Sequence, residues 1–156
     1  MKSAPKFELT STAGRKVGVP FSQPTVLVLL FQDQQTVDVA RDVNERIRAV
    51  HQEPEDLILG SIVNLKAVPR FMRGMAEKMM DKAYDKAAAQ LPPEVDPADY
   101  IVLLPDWSGN VFQSFGVGDV SKKALMVIID DKGNIVAQQQ GGNLAQTALR
   151  ELDKLI

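Results

Sequence analysis

Leu125-Met126-Val127-Ile128-Ile129-Asp130-Asp131-Lys132-Gly133-Asn134-Ile135-Val136 carries two strands and the turn between them. The unbroken apolar run from Leu125 to Ile129 has no polar side chain to show to water, as expected of a strand covered on both faces. Asp130 to Asn134 collects the residues that reverse a chain: carboxylates that bond their own backbone, and a glycine free to adopt positive φ. Ile135 to Gln139 then pairs back, which makes this stretch an antiparallel hairpin with one strand in the core.

The neighbouring segments complete the pattern. After the Gly141-Gly142 break, Asn143 caps a last helix that carries Leu144, Ala148, Leu152 and Leu155 at helical spacing. Val26 to Phe31 is continuously apolar and reads as the central strand, Leu57 to Val63 as its neighbour and Tyr100 to Leu104 as a third. Between the first two, Val39, Val43, Ile47 and Val50 form an apolar helical stripe, with Arg41, Asp42, Glu45 and Arg48 facing outward. Pro69 opens a long helix to about Leu91, which Pro92-Pro93 and Pro97 end. On that helix Met72, Met75, Met79 and Ala83 read as the core stripe, and Arg70, Arg73, Lys78, Lys82 and Lys86 as the solvated face. A methionine set left exposed would instead mark an interaction or membrane-surface helix. Val111 to Phe115 fits a short helix. At the start, Phe7 to Thr10 and Lys16 to Val19 alternate around an Ala13-Gly14 turn as a pair of edge strands, and Pro20 to Pro24 is a loop. The fold class is therefore α/β, a sandwich of helices on both faces of a central mixed sheet with an N-terminal β extension, and residues 1–156 form one domain.

Composition bounds the function. A chain of 156 residues with 45% hydrophobic and 24% charged content is that of a globular domain, and a net charge of -2 gives no electrostatic case for nucleic acid. The longest apolar run is too short to cross a bilayer, so no transmembrane segment is expected. Met1 to Pro5 leads straight into polar sequence, so the chain as it stands reads as cytoplasmic; a signal peptide already removed would make it periplasmic or secreted. There is no cysteine and one histidine. Zinc and copper sites lack their usual donors, and neither metal nor cofactor is expected.

Three stretches resemble the redoxin branch of the thioredoxin-like superfamily, which includes the TlpA-like and ResA-like oxidoreductases and the AhpC/TSA peroxiredoxins. Ala4-Pro5-Lys6-Phe7-Glu8-Leu9-Thr10 with Ala13 to Val17 is similar to their opening. Leu103 to Gly109 followed by Phe115-Gly116-Val117 resembles their middle segment, and Met126 to Val136 with Gly141-Gly142 their closing hairpin. The resemblance implies a thioredoxin-like sandwich. It also implies where chemistry would sit: a C-x-x-C or single cysteine at the start of the helix after the central strand, facing a cis-proline before the fourth. Laid on this chain, the first falls near Thr36-Val37-Asp38-Val39 and the second at about Ala124, within Ser121-Lys122-Lys123-Ala124. Both halves of the redox site are missing, and the thiolate is the nucleophile that chemistry needs.

The resemblance therefore implies a non-catalytic pseudo-redoxin that binds a protein partner through the rim of the former site: Gln32, Asp33, Gln34, Gln35, Thr36, Val39, Trp107, Lys123 and Ala124. The alternatives are an enzyme that uses the same cleft with Thr36, Asp33 or Asp38, and a structural subunit that self-associates as a homo-oligomer. The residues themselves speak plainly in places. Thr36 reads as an N-cap and Asp38 as a complement to the helix dipole, and the two aspartates would repel an anion. His51 reads as a solvated helix-terminal residue. Trp107, in the turn between Pro105 and Gly109, reads as a lid on the core or as a partly exposed recognition residue.

Overall fold

The computed structural model describes residues 2–20 and 25–156; most of the loop expected at Pro20 to Pro24 lies outside the described residues. Among the described residues, eight strands lie in two sheets. β1 (Lys2–Ser3), β4 (Val26–Gln32), β5 (Leu57–Asn64), β6 (Val102–Asp106), β7 (Leu125–Ile129) and β8 (Asn134–Gln140) form the main sheet in the order β1-β8-β7-β4-β5-β6. β4, β5 and β6 run parallel, while β7 and β8 run antiparallel to their neighbours, so the sheet is mixed. β2 (Phe7–Thr10) and β3 (Lys16–Val19) pair separately as the N-terminal hairpin. The two-residue β1, too short to show in the sequence pattern, pairs with β8 at the sheet edge.

Every residue of β4 is buried. Its alternation divides the core in two, because successive side chains in a strand point to opposite faces. Val26, Val28 and Leu30 join one cluster, which α1 (Val37–Val50) and α5 (Leu144–Leu155) cover with Ala40, Val43, Ile47, Leu144, Ala148 and Leu152. Leu27, Leu29 and Phe31 join the other, closed by α4 (Asn110–Ser114) and the β2–β3 hairpin. There Phe31 meets Phe112 and Phe115 at centroid distances of 5.1 and 5.3 Å, and Phe115 meets Phe7 edge-on at 5.5 Å. Helices therefore lie on both faces, but on the second face a five-residue helix shares the work with the hairpin.

Four local readings are corrected. On α1 the buried stripe is Ala40, Val43 and Ile47, with Val39 and Val50 exposed. A stripe of three at i, i+3 and i+7 already faces the sheet, and its flanking valines fall to either side. Arg48 does not face outward. Its Nη2 donates to the Leu57 carbonyl at 2.8 Å and its Nη1 to the His51 carbonyl at 3.2 Å, with the guanidinium 5.3 Å from the Tyr100 ring centroid. Burial holds its pKa below the usual arginine value. Pro97 does not simply end a helix: it opens the one-turn α3 (Pro97–Tyr100), which Asp96 caps by accepting from the Ala98 N–H at 3.0 Å. The third strand of the parallel set consequently starts at Val102.

The fourth correction is the largest. Pro69 precedes a 3₁₀ turn (Arg70–Met72) that leads into α2 (Arg73–Ala88), and neither contains a buried residue. Phe71 is 86% exposed, Met75 61% and Met79 56%; Met72 and Ala83 are exposed as well. The expected core stripe is on the surface.

Asp106 ends β6 almost fully buried, and its Oδ2 accepts from the Val111 and Phe112 N–H groups at 3.1 and 3.0 Å. This carboxylate fixes the start of α4, and α4 carries the phenylalanine that meets Phe31. Asp106→Ala leaves two buried donors without a partner and lowers stability by about 1–3 kcal/mol. Asp106→Asn, which keeps an acceptor, loses less. Urea unfolding of the two variants checks the order.

Candidate functional site

Parallel strands place their C-terminal ends along one sheet edge, where ligands of open α/β sheets generally bind. Gln32 stands opposite Val63, and Asn64 opposite Asp106, so β4, β5 and β6 all end there. α1 starts at Val37, just past the Asp33-to-Thr36 loop that follows Gln32. The antiparallel register sets Leu125 opposite Phe31, which brings Ala124 beside Gln32. The residues from Gln32 to Thr36 thus meet Lys123 and Ala124 at one spot. Trp107 follows β6, two strands away, at about 10 Å given the usual strand spacing.

The interior of this spot is filled by its own side chains. Gln32 is 2% exposed, and its Oε1 is buried without a hydrogen-bond partner. Thr36 is buried at the N-cap position of α1 but does not cap it with its side chain, which corrects the sequence reading. Its hydroxyl instead accepts from the Asp33 N–H at 3.1 Å, tying the loop back on itself. Its carbonyl accepts from the Ala40 N–H at 3.1 Å, as the first bond of the helix. Asp33 Oδ1 accepts from the Gln35 N–H at 2.8 Å, an Asx turn that absorbs this carboxylate locally. Asp38 pairs with Arg41 at 3.2 Å on the surface. Gln34, Gln35 and Val39 are exposed around this filled centre.

On the other side of the spot, Lys123 is exposed and Ala124 buried. The Lys123 carbonyl accepts from Gln140 Nε2 at 3.1 Å, and the Ala124 carbonyl from the Gly141 N–H at 3.1 Å. Ala124 has no ring to present to α1. Nearby, hydrogen bonds from Ser121 hold the Asp119 carboxyl below its ordinary pKa.

His51 lies at the far end of α1, about 22 Å along the helix from Thr36 at about 1.5 Å per residue. It is not fully solvated as expected: it is half-buried, and its Nε2 is buried without a partner. Among the described residues no group of three His, Asp or Glu side chains gathers as metal ligands would. No described helix is long and apolar enough to cross a membrane.

A cleft of about 220 Å³ opens beyond the edge strand β6, and the reading of the sequence missed it. Ser11 and Thr12 from the N-terminal hairpin, Pro105 and Trp107 from the end of β6, and Glu77, Met80 and Asp81 from α2 line it. Trp107 is half-buried here, part lid and part wall, and the Arg73 guanidinium lies 5.4 Å from its ring centroid. A signal existed, because Glu77, Asp81 and Asp85 recur every fourth residue along one row of α2.

The arrangement matches solved structures over nearly its whole length. The pneumococcal exposed lipoprotein thioredoxin of Streptococcus pneumoniae superposes with a TM-score of 0.66 at 16% identity, covering 96% of this chain and 99% of that one. A thiol-disulfide oxidoreductase from Bacteroides fragilis gives 0.65 at 16% identity, covering 97% and 99%. StoA from Bacillus subtilis gives 0.61 at 12% identity, covering 94% and 95%. The fold is thioredoxin-like. No protein-family model matches the chain, and no curated protein matches it in sequence. At these identities the likeness concerns the fold alone, and this thioredoxin-like chain has no cysteine to supply a thiolate.

Purified protein should therefore reduce insulin with dithiothreitol, and consume peroxide, no faster than buffer with dithiothreitol. A turbidity assay and a peroxide assay read this directly, and turnover above buffer would overturn it.

Proposed function

We propose that this is a cysteine-less thioredoxin-fold protein that acts by binding a protein partner, without thiol-disulfide chemistry of its own. The observation that carries the reading is the exposed apolar row on and before α2. Residues four apart on a helix are surface neighbours, and here they sort into four rows by chemistry. Phe71, Met75, Met79 and Ala83 form an exposed apolar row. Met72, Ala76, Met80 and Tyr84 form a second row, of which all but Met72 are half-buried against the body of the protein. Glu77, Asp81 and Asp85 form the acidic row, and Lys78, Lys82 and Lys86 the basic one.

The basic row borders the exposed apolar row on the solvent side. That combination fits a partner segment that offers apolar and acidic side chains together, laid along the helix. Methionine suits such a surface because its unbranched, polarisable side chain adapts to what it meets. The acidic row on the same helix favours a protein over an anionic membrane surface, which draws helices whose polar face is dominated by lysine and arginine. The rim of the former redox site offers less: Gln32, Thr36 and Ala124 are buried, which leaves Gln34, Gln35, Val39 and Lys123 to touch a partner.

The test uses the full chain with a photo-cross-linking residue at position 75, and the same residue at exposed Gln146 of α5 as control. An adduct with an acidic amphipathic protein is expected from position 75 alone. The purified partner should then bind with lower affinity as salt rises, and at least tenfold more weakly to the Lys78→Glu, Lys82→Glu variant. Adducts only with a second copy of the chain would make the helix a self-association surface. Binding to anionic vesicles instead would make it a membrane-surface helix, and adducts equal at both positions would remove the case for α2.

A further inference from the structure

The opposite side of α2 faces the cleft, and its chemistry differs from that of the outer rows. We propose that the cleft walled by Glu77, Asp81 and Trp107 is a binding site for a cationic side chain, a guanidinium or ammonium group, presented by a peptide.

The carboxylates come first. Glu77 and Asp81 stand one turn apart on α2, and neither belongs to an ion pair among the described residues. Like charges at this spacing destabilise a helix, so a cation between them relieves a repulsion the free protein carries. Trp107, Pro105 and Met80 line the same cleft. An indole face attracts cations through its quadrupole, and a planar guanidinium can stack on it as well. Ser11 and Thr12 from the N-terminal hairpin complete the lining.

The molecule already shows what the ring accepts. Arg73 places its guanidinium 5.4 Å from the Trp107 centroid, yet it is exposed and takes part in no ion pair among the described residues. It is a resident cation held at one contact, and an incoming group that also reaches the carboxylates competes with it on favourable terms. Size limits the occupant. Small-molecule sites usually measure about 300–1,000 Å³, and this cleft, at about 220 Å³, has room for one long side chain.

The proposal does not rest on the outer rows of α2, and its readout is separate from theirs. Trp107 is the only tryptophan in the chain, so fluorescence excited selectively at tryptophan, beyond the absorption of the two tyrosines, reports on this site. The full chain is titrated with an end-blocked Gly-Arg-Gly peptide, with the same peptide carrying citrulline in place of arginine, and with agmatine as a free amine. A saturable change with the arginine peptide is expected, with the citrulline peptide at least tenfold weaker. Replacing Glu77→Gln together with Asp81→Asn keeps the shape of two exposed side chains and should weaken binding about three- to tenfold, the range for two exposed charge contacts. Arg73→Gln removes the resident competitor and should tighten it. Far-UV circular dichroism confirms that each variant is folded, and Gln146→Ala, at an exposed position of α5, should leave the titration unchanged. An equal response to citrulline, no saturable response, or indifference to the carboxylate substitutions would overturn the site. Agmatine binding as tightly as the peptide would overturn its assignment to peptides.

Discussion

β4 has to be dry on both faces. All seven of its residues are buried, and it lies between β5 and β7 with every second side chain committed to a different core. Two separate coverings are therefore required. α1 and α5 supply the first with continuous apolar stripes. The second is assembled from short pieces, α4 and the β2–β3 hairpin, held together by Phe7, Phe31, Phe112 and Phe115. Short pieces need help to stay in place. The buried Asp106 carboxylate provides it for α4, and the Thr12 N–H, which donates to the Leu103 carbonyl at 3.0 Å, ties the hairpin turn to β6.

The same constraint explains why some of the structure was legible in the sequence and some was not. A strand buried on both faces must be apolar at every position, so Val26 to Phe31 and Leu125 to Ile129 could be read directly. The turn at Asp130 to Asn134 was equally direct. Asp130 Oδ1 accepts from the Lys132 and Asn134 N–H groups, and Gly133 takes φ +86°. Helix stripes are less direct, because periodicity says which residues share a face and not what that face touches. On α1 the choice between Val39 and Ala40 was decided by the pitch of the helix against the sheet. On α2 the whole inference failed: the apolar row is real, but the second core was already closed without it.

The candidate site shows the same limit. That the end of β4, the start of α1 and Ala124 meet could be inferred, since a central strand, the helix after it and the strand beside it come together in any such sheet. What fills that spot could not. Thr36 was expected to cap α1 and instead bonds back to Asp33, a choice between donors on either side of it in the chain that composition does not settle. The result is a helix start occupied by its own loop. The cleft at Glu77, Asp81 and Trp107 joins residues from three distant parts of the chain, and no local pattern announces such a meeting.

α2 then stands apart from the rest of the molecule in a way that bears on function. A helix with no buried residue contributes little to either core, and its cost in ordered backbone is not returned by packing. Its composition is nevertheless far from arbitrary, because four chemically distinct rows run along it, each repeated at every fourth residue. A merely solvated helix needs no exposed phenylalanine or methionine, and a merely structural one would bury them. The half-buried row fixes the helix against the protein by Ala76, Met80 and Tyr84. That anchoring turns the acidic row toward Trp107 and the lysine and apolar rows toward solvent. One amphipathic element thus presents two unlike surfaces, a lysine-bordered apolar row toward solvent and an acidic row toward the cleft at the edge of the sheet.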